Sequence, residues 1–127
     1  RHTLVLVVAL VAAAACFRPF NVRNYPSAAS LFGAGMQNYE KGKYANAILA
    51  FERLTFDLPT RDTLLPRAHW WLGQARRAND ERLLAAQSFN RLAEQFPNDS
   101  LADDAMYMAG MSYREMWRRP TLDPQYG

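Results

Sequence analysis

The sequence predicts an all-α fold, a short array of stacked helical hairpins. Three observations carry that prediction. Residues 44–59, YANAILAFERLTFDLP, return thirty-eight positions later as residues 82–97, RLLAAQSFNRLAEQFP, with Ala47, Phe51, Leu54 and Pro59 recurring as Ala85, Phe89, Leu92 and Pro97. The segments before them keep the same period: Gly35 returns as Gly73, and Gly110 follows at an offset of thirty-seven. Within each segment the apolar residues fall at i, i+3 and i+4, the spacing of one buried helix face. A period of this size, with small and aromatic residues at fixed places, is the mark of hairpins that stack on one another.

Composition narrows the function. The 127 residues have room for one domain. The net charge of +3 is made of interleaved acids and bases, and the only basic doublets after the start are Arg76-Arg77 and Arg118-Arg119. That is no nucleic-acid footprint, which needs Lys and Arg gathered on one face. Two histidines and one cysteine build neither a disulfide framework nor a zinc site. Arg1 rather than methionine opens the chain, and the third unit stops after its first helix, so the sequence reads as a fragment.

Residues 1–15 read as a signal peptide. Arg1 and His2 precede the apolar run LVLVVALVAAAA, which is shorter than the ~20 residues a membrane span needs. Cys16 follows Ala13-Ala14-Ala15, and this junction resembles a bacterial lipobox, although Leu is usual where Ala13 stands. The resemblance implies cleavage before Cys16 and its acylation by fatty acids such as palmitate. An ordinary signal peptide cleaved after an Ala-x-Ala is the alternative. Lipidation also accounts for a lone thiol in an oxidising compartment. Residues 16–26 then form the lipidated cysteine and a tether, since FRPFNVRNYP has two prolines, two asparagines and no helical period. Phe17 stands where Asp would signal inner-membrane retention, which fits an outer-membrane address.

Residues 27–127 form the repeat domain. Ser27 caps a first helix over residues 28–40, and Gly42 closes it. The second helix buries Tyr44, Ala47, Ile48, Phe51, Leu54 and Leu58, and Pro59 ends it. After the polar loop TRDT, Pro66 sits in the first turn of a third helix, where a missing N–H costs nothing. That helix runs to Ala78. Asn79-Asp80 makes the turn into a fourth helix over residues 81–96, which buries Ala85, Phe89, Leu92, Ala93 and Phe96. A second break, PNDS, precedes a fifth helix over residues 101–117, and Pro120 and Pro124 end regular structure. The repeats are thus 28–59, 65–97 and an incomplete 101–127, about two and a half units. Gly35 faces Ala47 and Gly73 faces Ala85, because a mid-helix glycine costs ~1 kcal/mol unless a close approach needs it.

These anchors resemble the tetratricopeptide repeat, lengthened by about four residues in the inter-repeat loop. The resemblance implies a non-catalytic solenoid with a concave surface lined by the first, or A, helix of each hairpin. Carrying the inward positions over gives three rows: Phe32, Trp70 and Tyr107; Met36, Gln74 and Met111; Tyr39, Arg77 and Arg114. Aromatics, adaptable methionines and forked arginines suit an extended peptide with apolar side chains and an acidic or carboxy-terminal end. The competing reading makes these rows hairpin core and a solvated face. An enzyme finds no support. His69 has no partner His or Cys, no HExxH is present, and Asp103-Asp104 suits a helix start. No cofactor or metal is implied.

The layout as a whole resembles the BamD family of outer-membrane β-barrel assembly lipoproteins. The phrases that carry it are LFGAGMQNYEKGKYANAILAFERLTFDLP and DDAMYMAGMSYREM, with PTLDPQ where that family has an acidic loop. Arg82 replaces a usual aromatic and Asn79-Asp80 a usual glycine, substitutions expected to loosen the second turn. The resemblance implies a lipid-anchored protein on the periplasmic face of the outer membrane. Its partners would be the other assembly subunits and unfolded outer-membrane protein segments, with membrane contact through the lipid and no nucleic acid. The alternative is a periplasmic scaffold of the Tol–Pal-associated type, which the phrase AHWWLG resembles but the short tether disfavours.

Overall fold

The computed structural model describes residues 1–5 and 18–118. Five α-helices follow a 3-10 turn at Val22–Asn24: α1 Ala28–Glu40, α2 Tyr44–Asp57, α3 Leu64–Ala78, α4 Arg82–Gln95 and α5 Ala102–Trp117. Among the described residues there are no strands. Each helix packs on the next in sequence, so α1–α2 and α3–α4 are antiparallel hairpins and α5 begins a third unit.

Helix limits follow local chemistry. Ser27 accepts from the N–H of Ser30 at 3.0 Å, and the Ser30 hydroxyl accepts from the N–H of Ser27 at 3.2 Å, a reciprocal cap on α1. Asp62 and Asp99 start α3 and α5 in the same manner. Each carboxylate accepts the N–H two residues on, from Leu64 and Leu101, at 2.9 Å.

The two hairpin turns are copies. In the first, the N–H groups of Lys41, Gly42 and Lys43 donate to the carbonyls of Gln37, Tyr39 and Asn38; in the second, those of Asn79, Asp80 and Glu81 donate to Ala75, Arg77 and Arg76. Gly42 has φ of 74° and Asp80 has φ of 67°. The expectation of a looser second turn is therefore corrected. Aspartate is among the few L residues that tolerate the left-handed region, and Asp80 holds the backbone that Gly42 holds.

The core forms two adjoining clusters. The first joins Leu31, Phe32, Ala47, Phe51 and Leu54 to Ala68, Leu72 and Ala75 of α3. The second joins Ala85, Phe89 and Leu92 to Ala105 and Ala109 of α5, with Trp70 of α3 packed against it. Helix α3 thus serves both. The glycines are where the hairpins close. A Cβ on Gly35 would sit 2.8 Å from Cε1 of Phe51, and one on Gly73 would sit 2.6 Å from Cε1 of Phe89. The close approach expected against Ala47 and Ala85 is made instead by the phenylalanine rings one turn further on. A Cβ on Gly110 meets nothing within 4 Å.

Candidate functional site

The aromatic row meets the phenylalanine of its own hairpin. Phe32 lies edge-on to Phe51 at 5.4 Å between ring centres, and Trp70 lies edge-on to Phe89 at 5.3 Å. Phe32 is only 8% exposed, whereas Tyr107, its equivalent in α5, is 66% exposed. Burial of this row comes from the second helix of each hairpin, and the described residues supply none for α5. Arg67 of α3 lies over the ring of Phe32, its guanidinium 4.9 Å from the ring centre.

The row of Tyr39, Arg77 and Arg114 changes chemistry along the array. Tyr39 packs edge-on against Tyr44 at 5.4 Å and against Trp71 of the next A helix at 5.3 Å. One repeat later both tyrosines become arginines, Arg77 and Arg82, and Glu115 of α5 lies between them. Arg77 donates to Glu115 at 2.5 Å and 3.2 Å, a two-pronged pair, and Arg82 donates to the same carboxylate. Arg82 also pairs with Asp80 at 3.0 Å. The hydrogen bonds from Arg77 above all, then the charges of both arginines, hold the Glu115 carboxyl below its ordinary range against the opposing effect of burial. The hydrogen bonds that Arg77 donates to Glu115 in turn raise the pKa of Arg77. An aromatic junction between the first two A helices is thus replaced by an ionic one between the second and third.

The middle row is the more available. Met36 is half-buried against the first cluster. Gln74 and Met111 are half-buried, and Arg114 on the neighbouring row is exposed. Gln74 and Arg114 make no side-chain hydrogen bond among the described residues. The structure leaves Met36, Gln74 and Met111 half-buried on α1, α3 and α5, commits Phe32 and Trp70 to hairpin packing, and ties Arg77 to Glu115. Glu115 was missed from sequence. Its only signal was an acid in the last turn of α5, thirty-eight residues after Arg77.

His69 is buried, and its Nδ1 has no hydrogen-bond partner among the described residues. Burial, then the nearby charges of Arg91 and Arg76, lower its pKa to about 4. Its ring packs near Phe96 at 6.2 Å. Among the described residues, no hydrogen bond from a carboxylate orients this imidazole. Among the described residues no three His, Cys, Asp or Glu side chains gather as a metal site would require. No helix among them is long and apolar enough to cross a membrane. Cys16, Phe17 and the expected tail at residues 120–125 lie outside the described residues.

Stacked antiparallel hairpins with a repeated glycine–phenylalanine contact define a tetratricopeptide-like helical-repeat protein. Residues 24–126 match the model of the YfiO family, described as outer membrane lipoprotein, and the chain belongs to that family, the one also known through BamD. No curated protein matches the chain.

Proposed function

We propose that this protein is a non-catalytic, lipid-anchored adaptor of the outer-membrane β-barrel assembly machinery, which holds segments of unfolded outer-membrane proteins along its A-helix side. Cys16 would carry the lipid, and residues 1–15 would be removed as a signal peptide. Family membership supports an envelope lipoprotein role. The observation that favours peptide holding is the A-helix side itself. Met36, Gln74 and Met111 hold equivalent repeat positions on three A helices and are half-buried, and Arg114 is exposed. Methionine re-packs around varied apolar side chains, and an amide and a guanidinium bind backbone and carboxylate groups.

The test is a titration with peptides copying the terminal strand of outer-membrane barrels, followed by tryptophan emission. Met111→Ala and Arg114→Ala each remove side chain without entering either core cluster. The expected result is saturable binding that each variant weakens by about threefold to tenfold, with helicity unchanged. Failure of the intact, folded protein to bind any such peptide would overturn the proposal in favour of a scaffold that touches only folded partners.

A further inference from the structure

The net charge of +3 is concentrated at one end of the molecule. Through Asp57 the bases are Arg1, Arg18, Arg23, Lys41, Lys43 and Arg53, against Glu40, Glu52 and Asp57; beyond it, nine arginines are matched by nine acids. Arg53 is occupied by Asp57 at 2.7 Å. Arg18, Arg23, Lys41 and Lys43 are exposed and make no ion pair among the described residues.

The same end exposes apolar side chains. Leu49 and Phe56 of α2 are 50% and 83% exposed. The chain before α1 runs alongside them. A cavity of about 650 Å³ is lined by Arg18, Phe20, Lys43, Tyr44 and Leu49. Across Leu49 a shallower one of about 310 Å³ is lined by Val22, Arg53, Phe56 and Glu52, whose carboxylate faces Arg76 at 3.6 Å. Bases and apolar groups thus share one strip between the tether and the outer face of α2.

The second hairpin is an internal control. With the same fold and the same turn, it carries Asn79, Glu81, Gln87 and Glu94 where the first carries Lys41, Lys43, Leu49 and Phe56. The repeat geometry therefore asks for neither bases nor apolar groups at these places. They belong to the hairpin next to the tether.

We propose that this strip docks on an anionic phospholipid surface. Leu49 and Phe56 enter the headgroup region, and Arg18, Lys41 and Lys43 meet the phosphates. Flexible bases around exposed apolar side chains match an interface that is apolar below and negative above, without the fixed geometry that a protein partner imposes. The strip lies on the second-helix layer, so docking turns the A-helix side away from the lipid. The proposal goes beyond peptide holding and shares with it only the membrane address of the family.

The test uses the full chain with vesicles of phosphatidylcholine, with and without phosphatidylglycerol. Any contribution of the apolar leader is common to all variants. Lys41→Glu with Lys43→Glu is expected to weaken partitioning onto anionic vesicles at least about 25-fold, at about fivefold per base lost and more from the added negative charges, and to leave neutral vesicles unaffected. Leu49→Gln with Phe56→Glu, which installs the residues of the second hairpin, is expected to weaken it as well. In a Cys16→Ser background, an environment-sensitive dye at Phe56→Cys should shift to the blue on anionic vesicles, whereas the dye at Glu94→Cys should not. Equal partitioning of wild type and the lysine variant would overturn the proposal. So would a blue-shifted dye at position 56 before lipid is added, because another protein surface would then cover the strip. Peptide titration of the same variants without vesicles reads the A-helix side separately, so failure of one proposal is not failure of the other.

Discussion

At the residue scale, the glycines and the buried histidine make the sharpest claims. Gly73→Ala drives a methyl group into the fully buried ring of Phe89. Overpacking of that kind costs ~1–3 kcal/mol and outweighs the ~1 kcal/mol that alanine returns in helix propensity. Urea unfolding should show a net loss of up to about 2 kcal/mol for Gly73→Ala. Gly110→Ala should show a gain of up to about 1 kcal/mol, since its added methyl meets nothing. His69 predicts a pH dependence. Its folded pKa, about 4, lies below the ordinary 6.5, so the unfolded chain binds its proton first as pH falls. Stability from this group is complete above about pH 6.5 and declines from there through pH 4. His69→Leu, which copies Leu31 one repeat earlier, should flatten the stability profile across that window. A profile of unchanged slope would show that folding does not lower the pKa of His69.

At the element scale, the contacts between hairpins carry the specificity. Glu115 joins α3, α4 and α5 through Arg77 and Arg82, and these side chains are partly exposed, so the net worth of the pair is modest. Glu115→Gln should cost about 1 kcal/mol in chemical unfolding, with most of the loss in the packing of α5. Because the Glu115 carboxyl is depressed, its contribution is present above the ordinary glutamate range, near pH 4.5, and fades below it. This tie was not legible in the sequence, whereas the helix limits were. Prolines at 59 and 97, Gly42 and the capping Ser27 act on the backbone next to them, and a local signal fixes a local boundary. Arg77 and Glu115 are separated by a full hairpin, and nothing in either residue selects the other from the acids and bases available. The aromatic row was hard to place for a related reason. An A helix is covered on one side by its own hairpin and on another by the next repeat, so apolar spacing marks burial without saying which neighbour provides it. Phe32 and Trp70 proved to face the hairpin partner.

At the scale of the whole molecule, α3 is common property. Its Ala68, Leu72 and Ala75 complete the first cluster while Trp70 packs on the second. In an array stabilised by neighbour contacts, a shared helix couples adjoining units. Phe51→Ala and Phe89→Ala, each ~3–5 kcal/mol as deletions of fully buried rings, should therefore move the midpoint of one common transition. Coincident melting curves by far-ultraviolet dichroism and tryptophan emission would confirm the coupling, and separated curves would show hairpins that unfold independently.

The duplicated turn has a consequence for how such a chain diversifies. Lys41-Gly42-Lys43 and Asn79-Asp80-Glu81 differ at every position and in the sign of their charge, yet the same three backbone bonds close both. Shape is inherited from the main chain, and only the central residue, with its positive φ, is restricted, so the residues on either side of it are left free to drift. One hairpin can then acquire an affinity its sibling lacks without altering the pitch of the superhelix. A gene that copies such units copies a scaffold first, and each copy can be given its own address afterwards.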